Sequence, residues 1–194
     1  MKLNKRAVAL LISLALLLTA AVGATVAFVI DRSQDVENIF TPSRVACQVA
    51  GTENGPYTVK NIGDTTAYIR VAVVVNWKSQ DGSVLAQKPG DDDYAITYAS
   101  NTGWTMGRDG FYYYTLPVDA IDDTQTDGVD ERLTGILIAN VTKKVGNRVG
   151  SDGMQYSLSV ELVASAIQTT SEAVDAWSNG VASIDSNGNL IVAQ

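Results

Sequence analysis

Apolar and polar residues alternate with a period of two along most of this chain. The pattern is cleanest from Thr66 to Trp77, where Ile69, Val71, Val73, Val75 and Trp77 alternate with Tyr68, Arg70, Ala72, Val74 and Asn76. Successive side chains of a strand point to opposite faces, so the wholly apolar set is expected to face a core. Asp81-Gly82 marks a tight turn, and Ser83 to Gln87 is predicted to return as the hairpin partner. Further strands are predicted at Val45 to Ala50, Tyr57 to Asn61, Tyr94 to Ala99, Gly110 to Leu116, Arg132 to Val141 and Gln155 to Ile167. These segments are rich in β-branched and aromatic residues. One helix interrupts them: Ser171 caps it, Glu172 sits in its first turn, and Ala173, Val174, Ala176 and Trp177 form a short apolar stripe. Asn179-Gly180 ends it, and Ile184 to Val192 reads as a small hairpin around Asn187-Gly188. The expected fold is an all-β antiparallel sandwich with one short C-terminal helix.

The first thirty residues break the alternation. Lys2, Lys5 and Arg6 precede an uncharged apolar run from Ala7 to Ile30, which Asp31 and Arg32 close. Roughly 20 such residues span a bilayer, and basic residues before the run keep that end in the cytoplasm. The later part of the chain is then delivered outside the cell. A dense core from Leu10 to Leu18 gives way to small residues from Thr19 to Ala27, the gradient of a cleaved signal peptide. Residues 1–26 are expected to be that peptide, with the mature chain starting between Thr25 and Phe28; the alternative is an uncleaved anchor. Neither a lipobox nor an LPxTG sorting signal is seen, so a cleaved product is expected to be secreted or held by other chains.

Composition narrows the chemistry. The leader removes three positive charges and no negative ones from a chain of net charge −7, leaving the exported part at about −10. Such a surface repels phosphate backbones, which argues against nucleic acid as a partner. The about 165 exported residues suffice for one domain with a sizeable core. The single cysteine, Cys47, forms no internal disulfide and is expected to be a small buried hydrophobe. The chain has no histidine, so neither a zinc-peptidase ligand set nor a Ser-His-Asp or Cys-His arrangement can be assembled. No catalytic residue, cofactor site or metal site is expected. Asp91-Asp92-Asp93 and the group Asp119, Asp122, Asp123, Asp127, Asp130 and Glu131 are expected to be solvated loops. The second group begins like a calcium-binding loop, but Thr134 stands where a bidentate Glu is required. Asp185 to Asn189 is likewise expected to be a turn.

The leader running into Gly23-Ala24-Thr25-Val26-Ala27-Phe28, then Asn38-Ile39-Phe40-Thr41, resembles the TasA and camelysin family of exported biofilm-fibre proteins. Val59 to Val71, Asn76-Trp77, Asp109 to Tyr114, Ala164 to Gln168 and Ala173 to Trp177 are similar to further family motifs. This chain departs from the family in having Val29-Ile30 after Ala27-Phe28. The resemblance implies a jelly-roll-like sandwich, processing by the dedicated signal peptidase SipW, and assembly into extracellular filaments by strand donation. Camelysin relatives have been classed as metallopeptidases, a reading that the missing histidine opposes here.

Residues 27–41 are the candidate donor strand, and 42–194 the sandwich domain. Ala27, Phe28, Ile30, Ile39 and Phe40 offer apolar side chains that need a groove, and their backbone groups need partners. Adding this segment to an incomplete sheet of the next subunit satisfies both, by a head-to-tail contact that does not close. The expected partners are therefore other copies of the chain, the signal peptidase during export, and matrix or cell-wall components. Alternatively the segment is a disordered stub or completes its own sheet. A rival function is a monomeric secreted or surface adhesin, with Trp104, Phe111, Tyr112, Tyr113 and Tyr114 as a glycan platform.

Overall fold

The computed structural model describes residues 43–120, 130 and 132–194. Ser43–Gln194 form one compact unit, an antiparallel β-sandwich. One sheet has the order β1 (Cys47–Gly51), β2 (Tyr57–Asn61), β7 (Ile138–Lys143), β4 (Tyr94–Tyr98). The other has the order β5 (Trp104–Met106), β6 (Tyr112–Val118), β3 (Ala67–Ser79), β9 (Gln155–Gln168), β8 (Arg148–Val149). The chain crosses repeatedly from one sheet to the other, which gives the sandwich its jelly-roll-like character.

The main core lies between the sheets. Val59 and Ile138 of one sheet meet Ile69, Val71 and Val118 of the other, all essentially excluded from water. A smaller cluster of Trp77, Tyr156 and Leu158 closes one end. The alternation in β3 holds, since Ile69, Val71 and Trp77 are fully buried. Val73 and Val75, however, are only half-buried. Pairing with β6 stops at Val71, opposite Tyr112, and the next backbone bond on that side is from Leu85 to Trp77. Between those points β3 has a strand on the β9 side alone.

Several predicted boundaries move. Ser83 to Gln87 does not form a strand; it makes a single bridge, Val84 with Lys78. Of Arg132 to Val141 only Ile138 onward is strand, although Leu133 bridges to Lys60. Gly135 is the break: its backbone lies against Thr102 so closely that a Cβ has no room, and its carbonyl accepts from Trp104 Nε1 at 2.7 Å. The strand predicted at Gly110 starts instead at Tyr112, because Gly107 to Gly110 form a turn closed by Gly110 N–H donating to the Gly107 carbonyl.

The C-terminal segment covers the outer face of the larger sheet. It consists of the single helical turn α1 (Ser171–Val174), a 3-10 turn (Asp175–Trp177), and the hairpin β10 (Val181–Ile184) and β11 (Leu190–Val192). The residue that caps α1 is Thr170 rather than Ser171: Thr170 is still extended (φ −106°, ψ 153°), and its side chain accepts from Ala173 N–H. Trp177, Val174 and Leu190 pack on Tyr68 and Tyr113. Arg70 is clamped beneath, its guanidinium 4.2 Å from the Phe111 ring centre and 4.7 Å from that of Trp177.

A charged cluster ties the loop before β7 to β2. Asp130 accepts from Arg132 Nε at 2.6 Å and from Lys60 Nζ at 2.9 Å. The Arg132 guanidinium, joined by Lys60, holds the Asp130 carboxyl well below the usual carboxylate range. A carboxyl whose folded pKa lies under the unfolded value of about 3.9 adds stability above that pH, and the gain is lost as pH falls toward the folded value. Asp130→Asn should therefore melt slightly below the parent protein at neutral pH, and the gap should close only gradually as the pH falls from about 3.9 toward the folded value. The gap is small because water screens this partly exposed cluster. Thermal melts across the acid range check it, and a gap independent of pH would reject the assignment.

Candidate functional site

The most consequential feature of the sandwich is an unfinished edge. β9 pairs with β3 from Ser79 opposite Tyr156 to Ala67 opposite Gln168. On its other side β8 reaches only Gln155 and Tyr156. Among the described residues, the β9 edge from Leu158 to Gln168 has no strand beside it. Outward-pointing N–H and C=O groups along such an edge are a template for another strand.

The side chains of this edge reinforce the point. Cross-strand partners share a face, so Val160, Leu162, Ala164 and Ala166 lie on the inner face with Val75, Val73, Val71 and Ile69. All four pack against the main core yet stay half-buried. The neighbouring margin is β1, the edge strand of the other sheet, whose Cys47 and Val49 are also half-buried against the core. The two sheets thus leave an apolar seam between β1 and β9. Burial pushes the Cys47 thiol up from its ordinary value, which suits a core-lining residue rather than a reactive one.

One end of the seam opens into a cavity of about 300 Å³ lined by Tyr57, Ser79, Leu158 and Val160 with Lys78 and Lys143. Both lysines are engaged, Lys143 with Glu53 at 2.6 Å and Lys78 with Glu161 at 2.6 Å. Each lysine's hydrogen bond lowers the pKa of its partner carboxyl.

The other candidate chemistry resolves into packing and turns. Tyr113 is fully buried under the C-terminal cover, and its hydroxyl donates to Asp109 at 2.7 Å. Tyr112 and Tyr114 face the main core, where Tyr98 stacks on Tyr112 and Trp104 tilts against Tyr114. Asp93 accepts from Arg148 and from Gly90 N–H. Asp185 accepts from the N–H groups of Asn187 and Asn189, closing the predicted turn. Among the described residues no group of three or more acidic or cysteine side chains is placed to hold a metal ion, and no helix is long and apolar enough to cross a membrane.

Ala27, Phe28, Ile30, Ile39 and Phe40, the whole leader, and most of the acidic group from Asp122 to Glu131 lie outside the described residues. Sequence reasoning placed the β9 strand and missed its open side. A signal was present, since only the brief Arg148-Val149 precedes the Asp152-Gly153 turn, too short to flank a strand as long as Gln155 to Ile167. No protein-family profile, curated protein or solved structure matches this chain.

Proposed function

We propose that this chain is an extracellular structural protein, the subunit of a biofilm-matrix or surface filament. Each subunit receives the N-terminal segment 27–41 of a neighbour as an added strand. The observation that carries this reading is the β9 edge from Leu158 to Gln168, apolar on its inner side and without a strand beside it among the described residues. The apolar Ala27-Phe28 and Ile30, set free by signal-peptidase cleavage, match the need of that edge, and main-chain pairing supplies affinity. The resemblance to the TasA and camelysin proteins supports the same role, with matrix or cell-wall components as further partners. Electron microscopy of the mature chain over a range of concentrations tests it. Polymers that lengthen with concentration are expected; a stable monomer that retains a glycan would favour the adhesin reading.

A further inference from the structure

At the margin opposite the β1–β9 seam, a pair of tyrosine rings bridges the two sheets. Tyr98 closes β4, the edge strand of the first sheet. Tyr112 opens β6 of the second sheet, between Met106 of β5 and Val71 of β3. Their rings stack with centres 4.8 Å apart and planes tilted by 22°. Among the described residues this is the only contact between two tyrosine rings. Elsewhere the hydroxyls of Tyr57, Tyr68, Tyr113 and Tyr156 each donate to a carbonyl or a carboxylate.

The geometry suits one-electron chemistry. Tyr98 is 40% exposed, so a dissolved oxidant reaches its ring, whereas Tyr112 is half-buried against the core. The two hydroxyls lie at the same end of the stack. Burial pushes the Tyr98 phenol above its ordinary value, and the Tyr112 hydroxyl beside it adds to the rise. A phenoxyl radical carries unpaired spin on the ring carbons that flank its oxygen. Aligned hydroxyls therefore bring the coupling carbons of both rings together. The ring spacing is close to that of two directly bonded rings, and Tyr98, at the end of an edge strand, has room to tilt.

We propose that Tyr98 and Tyr112 form an oxidative cross-linking site, coupling to dityrosine and so stapling β4 of one sheet to β6 of the other. The oxidant is hydrogen peroxide acting through a haem peroxidase. Loss of one electron and the phenolic proton from Tyr98 gives a radical, which takes a hydrogen atom from the Tyr112 hydroxyl. A second oxidation of Tyr98 leaves one radical on each ring. A bond then forms between one Cε of each ring, and the hydrogen on each of those carbons moves to its own ring's oxygen. The two tyrosines lose two hydrogens in total, and one peroxide becomes two waters. Cys47 is the only cysteine, so no internal disulfide can join the sheets. A dityrosine bond restricts the unfolded chain in the same way that a disulfide does.

Treating the protein with a haem peroxidase and hydrogen peroxide tests the site. Arg108 lies between the two tyrosines, so trypsin parts them unless they are joined. Dityrosine fluorescence is expected at the mass of a single chain. A linked peptide should appear, two hydrogens lighter than the sum of its parts and joined at Tyr98 and Tyr112. Tyr98→Phe and Tyr112→Phe keep both rings and remove one hydroxyl; each is expected to lose the link, and Tyr94→Phe to keep it. Treatment should raise the melting temperature of the parent protein by several degrees and leave that of Tyr98→Phe in place. Links that map to other tyrosines, that only join separate chains, or that leave melting unchanged would overturn the staple. So would an absence of dityrosine while free tyrosine in the same mixture is converted. Either failure leaves the filament reading where it stands, because polymer growth is not what is measured.

Discussion

Mature protein shortened to begin after Thr41 is expected to remain a folded monomer at concentrations where the full mature chain polymerises. The compact unit starts at Ser43, and its cores draw on Tyr57, Ile69, Trp77 and other residues further along. The truncation therefore removes the proposed donor and leaves the β9 edge whole. Fully burying Phe28 and Ile30 contributes roughly 1.5–3 kcal/mol each, before the association costs that any interface must overcome. Replacing both with Ser should give an intermediate result, with shorter filaments and an unchanged fold. Sedimentation and negative-stain imaging at equal concentrations make the comparison. Filaments formed equally well by the shortened chain would sink strand donation.

The second large effect concerns stability. Val71→Asp is expected to abolish folding, whereas Val73→Asp should yield a folded protein with a lowered melting temperature. Val71 is fully buried between the sheets, and an unpaired charge there costs several kcal/mol against a total stability of about 5–15 kcal/mol. Val73 lies where β3 has lost its β6 neighbour, so a carboxylate at this position can turn toward water. Circular dichroism and thermal melts of the two variants decide the matter. Equal losses would mean that the missing neighbour on β3 does not govern burial there.

The local pattern of this chain was legible because each strand carries its own period. Alternation in β3, the turn at Asn187-Gly188 and the core role of Trp177 needed no knowledge of what lies opposite. What resisted reading depends on partners distant in sequence. The shortened β7 follows from Gly135 meeting Thr102 and Trp104, a contact made between segments far apart along the chain. The half-burial of Val73 follows from where β6 ends. The open side of β9 is the exception, since the short β8 lies just before it in the chain. Alternation states which face of a strand is apolar; it carries no record of which edge stays unpaired. The aromatic run from Phe111 to Tyr114 shows the same limit, because its outer face is covered by Val174, Trp177 and Leu190 from the far end of the sequence.

The long pairing of β3 with β9 has a mechanical consequence. All 13 residues of β3 have a partner on β9, and the two strands run from one end of the sandwich to the other. Tension applied at the two ends loads this ladder in shear, so its hydrogen bonds resist together. A pull across the sheet would open them one after another. Among the described strands of this sheet the two-residue β8 makes the shortest pairing, so far fewer hydrogen bonds share any load that reaches it.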